Sequence, residues 1–113
     1  MVDEINEEKL FQILFLHLVY SFQNLAIMQL GKIVNPTTNK VEKDLVQAKN
    51  TIDILRMLRE KTKGNLSKEE SDLIEQVIYT LQLNYADEVE KESKESRRED
   101  EKQNSWRVEE DIR

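Results

Sequence analysis

The chain has 113 residues, a size typical of one domain, and its 23 acidic and 17 basic side chains give a net charge of −6. This charge makes nucleic acid and anionic lipid unfavourable partners for the chain as a whole, and the absence of cysteine excludes disulfides, thiol catalysis and thiolate metal sites. Residues 1–9 are acidic where a secretion signal would be basic, so we expect a cytoplasmic protein. Two glycines and one proline leave few breakers, which favours an all-α fold.

The first predicted helix runs from about Asn6 to Leu30 and contains the most apolar stretch of the chain. Residues 10–31 hold no formal charge apart from that of a protonated His17. A membrane-spanning helix needs about 20 predominantly apolar residues, so the length allows insertion. Six polar residues interrupt the stretch, and polar groups are costly at bilayer depth. Membrane association through this helix therefore stays an alternative and is not the favoured interpretation.

The polar residues of the first helix form no continuous face when they are projected at about 100° per residue. A helix that is apolar on nearly all sides must be buried on nearly all sides, and two amphipathic partners cannot cover it. We therefore predict self-association through this helix, as a dimer or larger assembly, with a different protein partner as the alternative. The predicted interface residues are Phe11, Leu14, Phe15, Leu18, Phe22 and Leu25.

Two further helices are predicted after the loop around Pro36, the second from about Lys40 to Thr62 and the third from Lys68 to near Val89. Each carries apolar residues at steps of three and four, so each has one apolar stripe. The short connection between them makes them antiparallel neighbours. The expected fold is an all-α, three-helix antiparallel arrangement, completed by self-association. The two stripes consist of Val41, Leu45, Ala48, Ile52, Leu55 and Leu58, and of Leu73, Ile74, Val77, Ile78, Leu81 and Tyr85.

The joint between the second and third helices reads "KTKGNLSKEE", residues 61–70. Gly64 suits a backbone of positive φ at a helix end, and Ser67 with Glu70 three residues later predicts a capping box. The positive charges before Gly64 favour the negative end of the helix dipole. The alternative is an anion contact, for a small ligand or a nucleic acid, at this basic corner. Its members would be Lys61, Lys63 and Lys68, together with Arg56 and Arg59.

Several of these runs match a known pattern. The stretch "TIDIL" at residues 51–55, "KTKGNLS" at residues 61–67 and Tyr85 resemble the bacterial domain-of-unknown-function family 1844. The resemblance covers about residues 10–86. It implies a small all-helical bacterial protein and brings no activity, substrate, cofactor or catalytic residue with it.

No recognisable catalytic constellation or metal site is present in the sequence. His17 is the only histidine and lacks the Glu-x-x-His spacing of carboxylate-bridged metal bundles, so we interpret it as a core or interface residue. Nucleophilic catalysis lacks a base next to any serine, and two glycines cannot form a phosphate-binding loop. We expect a protein that is not an enzyme and has no cofactor.

From residue 87 onward the composition changes to 11 acidic and 7 basic residues with few apolar ones. We predict a helical domain over residues 1–86 and a charged tail over residues 87–113, either disordered or a solvated helix. Trp106 is the only tryptophan and is a candidate docking anchor for an unknown protein partner. The expected function is a homo-oligomeric interaction or scaffold module.

Overall fold

The computed structural model describes the backbone of residues 6–112 and the side chains of residues 6–104. It contains three α-helices: α1 (Glu7–Gln29), α2 (Leu45–Lys61) and α3 (Lys68–Ile112). No strand occurs over the described backbone, where an isolated bridge joins Asn35 to Lys40 in the α1–α2 loop. The predicted all-α, three-helix arrangement is confirmed.

Both ends of α1 are capped by local hydrogen bonds. The Asn6 side chain accepts from the Lys9 amide at 2.8 Å, which satisfies one of the free amides of the first turn. At the other end Gly31 has φ +78°, and the Lys32 amide donates to the Ile27 carbonyl at 3.1 Å. This is the Schellman arrangement, in which a glycine of positive φ lets the chain turn back over the last carbonyls.

Helix α2 begins at Leu45, five residues later than the sequence predicts. Asp44 is the N-cap, since its side chain accepts from the Gln47 amide at 3.1 Å. The Asp44 amide in turn donates to the Gln29 carbonyl at 2.7 Å, which fixes the start of α2 against the end of α1. Val41 consequently lies in the loop and is exposed, so its assignment to the apolar stripe of α2 was wrong.

The joint between α2 and α3 has the predicted helix stop and helix start. Gly64 has φ +84°. The Ser67 amide donates to Glu70 Oε1 at 2.7 Å, and the Glu70 amide donates to Ser67 Oγ at 3.2 Å. These two reciprocal bonds are the capping box, and they confirm the structural interpretation of this stretch.

The three helices pack against one another around a single core. Gln12 near the start of α1 donates to Glu69 near the start of α3, so these two helices run in the same direction. The Thr51 hydroxyl donates to Gln29 at 2.6 Å, which places the first half of α2 beside the end of α1 and makes α2 antiparallel to both. The buried apolar residues are Val19, Ala26, Leu30, Ala48, Ile52, Leu55, Ile74, Val77, Ile78 and Leu81.

Helix α3 extends to Ile112, far beyond the predicted end near Val89. The extension is rich in Glu and Lys, which are good helix formers, and opposite charges recur four residues apart. Lys91 lies 3.2 Å from Asp87, and Lys94 lies 3.1 Å from Glu90. Residues 89–104 are all exposed, so this part of α3 is a solvated helix. The division into a domain and a tail at residue 87 stays a prediction.

Candidate functional site

The candidate site is the solvent-facing side of α1. Val19 and Ala26 are the buried residues of this helix, and Phe15, Phe22 and Ile27 pack against the core from partly buried positions. Two of the six predicted interface residues, Phe15 and Phe22, therefore contribute to the core of their own chain. The other four predicted residues are exposed: Phe11, Leu14, Leu18 and Leu25, with 57% of Phe11 and 50% of Leu14 accessible to solvent.

These four residues belong to a regular stripe, which we call the α1 seam. Its members are spaced alternately by three and four residues, as along one contact edge of a coiled coil, and they are Phe11, Leu14, Leu18, Ser21, Leu25 and Met28. At 3.6 residues per turn the seam lies about 120° around the helix from the buried face of Val19 and Ala26. The predicted interface did not include Ser21 and Met28, which the alternating spacing could have added.

Polar groups in and beside the seam have local partners or lie in solvent. Ser21 Oγ donates to the His17 carbonyl at 2.8 Å, so the one hydroxyl of the seam is satisfied within its own helix. The His17 side chain is exposed and lies on the flank of the seam. Within the residues described, no group of three or more His, Asp or Glu side chains is arranged to hold a metal ion.

By its length and composition, α1 is long and apolar enough to cross a membrane. None of the other described helices is. Exposed apolar residues occupy positions around much of its solvent-facing side. Beyond the α1 seam, Leu10, Ile13 and Tyr20 are each at least 40% exposed. The apolar surface of α1 is therefore broader than the seam.

The basic corner at the α2–α3 joint contains both signs of charge. Arg59 lies 3.5 Å from Glu75 and 3.6 Å from Glu60, and Lys68 lies 3.6 Å from Asp72. An adjoining open cleft of about 240 Å³ is lined by Arg59 and Lys63 but also by Glu60 and Glu75. Lys61 and Lys63 are both exposed. The carboxylates reduce the positive potential that an anion would meet here.

A second cluster, which we call the Glu88 cluster, was not predicted. The buried Glu88 carboxylate lies 2.6 Å from Lys32, 2.9 Å from Lys43 and 3.2 Å from Lys91. Hydrogen bonds from Lys32 and then Lys43 lower the pKa of Glu88 to about 2 against the opposing effect of burial. Sequence spacing gives no signal for it, because Lys32 and Glu88 are 56 residues apart and the lysines look like ordinary loop residues.

Trp106, the predicted docking anchor, lies outside the residues whose side chains are described. Its role stays a prediction. Earlier in the same helix, residues 89–104 form the solvated part of α3.

The fold defines the class as a small three-helix α-protein. The model of the family described as "Domain of unknown function (DUF1844)" matches residues 12–87, which is more than half of the chain. The chain belongs to this family, as the runs at residues 51–55 and 61–67 indicated. In the comparisons with curated proteins and with solved structures, nothing matches.

Proposed function

We propose that this protein is a non-enzymatic interaction module of the bacterial cytoplasm that pairs with a second copy of itself through the α1 seam. The observation that carries the proposal is the exposure of Phe11, Leu14, Leu18 and Leu25 along one edge of a helix whose other side is already packed in the core. Their regular spacing supports a helical partner, because alternating steps of three and four keep an apolar edge facing another helix.

The energetics favour covering this edge. Fully burying a Leu or Phe side chain is worth about 1.5 to 3 kcal/mol, so each half-exposed residue of the seam would gain on the order of 1 kcal/mol when covered. A second copy supplies an equally apolar edge, and it is present at the concentration of the protein itself. Homo-oligomers with twofold symmetry use one self-complementary surface in this way.

The test is the mass of the full chain in solution at micromolar concentration, measured by light scattering after size exclusion without detergent. We expect a dimer for the native chain and a monomer for Leu18→Asp, because an aspartate in the seam would bury a charge. Leu83→Asp is the matched control, since Leu83 is 55% exposed on α3 and lies outside the seam. A native chain that is monomeric, with helical content intact by circular dichroism, would overturn the proposal.

Membrane association is the second candidate, and the length and apolar composition of α1 favour it. The discriminating experiment is flotation with vesicles of neutral phosphatidylcholine, followed by light scattering of the protein left in solution. Flotation of the native chain that Leu18→Asp abolishes would support the membrane candidate. A native chain that stays dimeric in solution and does not float would support pairing of two chains.

A further inference from the structure

Resting on the proposed dimer, we infer that the two α1 helices pair antiparallel about an axis between Leu18 and Ser21. This arrangement places Phe11 against Met28 of the partner subunit, Leu14 against Leu25 of the partner subunit, and Leu18 against Ser21 of the partner subunit. The seam positions form two alternating sets, residues 11, 18 and 25 and residues 14, 21 and 28. Each contact pairs a member of one set with a member of the other, as in the core layers of antiparallel coiled coils.

Side-chain size favours this register. The seam contains one small residue, Ser21, and in the antiparallel register it lies opposite Leu18 of the other copy. Phe11 meets the flexible thioether of Met28, a contact that sulfur and aromatic rings favour. A parallel pair would instead stack Ser21 on Ser21, which leaves a gap between two leucine layers, and interiors lose stability where such gaps form.

The charge at the start of α1 also favours the antiparallel register. Glu7 and Glu8 lie in the first turn, and Glu7 continues the spacing of the seam four residues before Phe11. A parallel pair would bring the two Glu7 carboxylates together. An antiparallel pair instead brings Glu7 towards Lys32 of the partner subunit. That lysine belongs to a cluster of three lysines and three carboxylates, in which the positive and negative groups are equal in number. That cluster consists of Lys32, Lys43, Lys91, Asp87, Glu88 and Glu92. The helix dipoles also oppose each other in the antiparallel pair.

The direction of α3 also favours an antiparallel dimer. Helix α3 runs in the same direction as α1 and continues past the bundle to Ile112. Residues 87–113 hold 11 acidic and 7 basic side chains, a net charge of 7 − 11 = −4. In a parallel dimer two such segments would leave the same end side by side and repel each other. In an antiparallel dimer they leave from opposite ends.

The absence of cysteine makes disulfide trapping a clean test, because every cross-link must come from introduced thiols. Leu14→Cys and Leu25→Cys are prepared as separate full-length chains, and each is first shown to be dimeric by light scattering. We expect a cross-linked dimer when the two chains are mixed and oxidised. We expect none from Leu14→Cys alone, since its two copies would lie about 16 Å apart along the axis, beyond the roughly 7 Å Cα separation that a disulfide spans.

The outcomes separate the two proposals. Efficient cross-linking of Leu14→Cys with itself would establish the parallel arrangement and overturn the antiparallel inference while leaving the dimer intact. A dimer that cross-links in neither experiment would overturn the register. A native chain that is monomeric would overturn the proposed function itself, and light scattering shows this before any oxidation.

A second measurement leaves the seam untouched. Lys94 is exposed on α3 and lies 3.1 Å from Glu90 within its own helix, so Lys94→Cys accepts a spin label with little disturbance. The antiparallel dimer predicts a separation of roughly 50 Å between the two labels, from the rise of 1.5 Å per residue along α1 and α3. A separation below roughly 35 Å, measured by pulsed electron resonance, would contradict it.

Discussion

Glu88 Oε2 accepts a hydrogen bond from Lys32 Nζ at 2.6 Å and so joins the middle of α3 to the start of the loop that follows α1. Lys43, from the other end of the α1–α2 loop, lies 2.9 Å from the second oxygen of the same carboxylate. One buried acid thus ties both ends of this loop to α3. Beyond this cluster α3 leaves the bundle and becomes a solvated helix.

The Glu88 cluster predicts a pH dependence of stability. The folded-state pKa of Glu88 is about 2, below its usual value of 4.5, so the folded state holds its proton more weakly than the unfolded state. The stabilisation is therefore present above pH about 4.5 and is lost as the pH falls towards 2. It amounts to roughly 2 to 3 kcal/mol in the free energy of unfolding at neutral pH.

Urea unfolding of the native chain and of Glu88→Gln between pH 7 and pH 2 tests this. We expect a difference in unfolding free energy at pH 7 that shrinks steadily below pH 4.5. Glu92→Gln is the control, because the Glu92 side chain is 53% exposed and lies 3.6 Å from Lys43. A difference that stays constant over the pH range would show that Glu88 acts through packing and not through its charge.

Gly31→Ala should destabilise the protein more than Gly64→Ala. Both glycines have positive φ, which costs other residues about 1 to 2 kcal/mol, so both substitutions carry that cost. A Cβ at Gly31 would also lie 3.0 Å from the Lys43 Cβ, whereas nothing lies within 4 Å of one at Gly64. The difference between the two changes in unfolding free energy therefore isolates the packing at Gly31. Equal losses would show that the loop moves to accept the methyl group.

The glycine at the end of α2 is a feature that the sequence indicates, whereas the Glu88 cluster is one that it does not. Gly64 was expected at a helix end, because the backbone conformation at such an end depends on nearby residues. The capping box of Ser67 and Glu70 was found for the same reason. The Glu88 cluster joins residues that are 56 apart in the sequence, and no short-range spacing indicates such a contact.

Helix ends that depend on the tertiary structure were also missed. Helix α2 starts at Leu45 because Asp44 is held against Gln29 of α1, and a local pattern of apolar residues cannot show that bond. The third helix was predicted to end near Val89, with a solvated helix as one alternative for the charged tail, because the extension has no apolar stripe to mark it as a helix. The apolar edge of α1 was visible in the sequence. The assignment of Phe15 and Phe22 to the core required the packed structure.

Ser67→Ala should lower the unfolding free energy by about 1 kcal/mol, the usual value of an N-cap side chain. The change removes the acceptor of the Glu70 amide, which lies 3.2 Å away. Ser93→Ala is the control, since Ser93 is exposed inside α3 and alanine favours a helix interior. If the two variants change stability equally, the capping box contributes little to the fold.

The last prediction concerns where the folded domain ends. The sequence divides the chain at residue 87, yet Glu88 is buried just beyond that point, and Glu92 lies 3.6 Å from Lys43. Residues 93–104 are exposed and add no buried surface. A chain ending at residue 92 should therefore keep the stability of the full chain, whereas one ending at residue 86 should lose the contribution of the Glu88 cluster, roughly 2 to 3 kcal/mol.

Urea unfolding of both truncated chains at pH 7, beside the full chain, measures this. The Glu88→Gln variant of the 92-residue chain is the matched control, because it removes the charge and keeps the length. Its stability should approach that of the 86-residue chain. Equal stability of the two truncated chains would place the end of the domain at residue 86, since the buried carboxylate would then contribute nothing to folding.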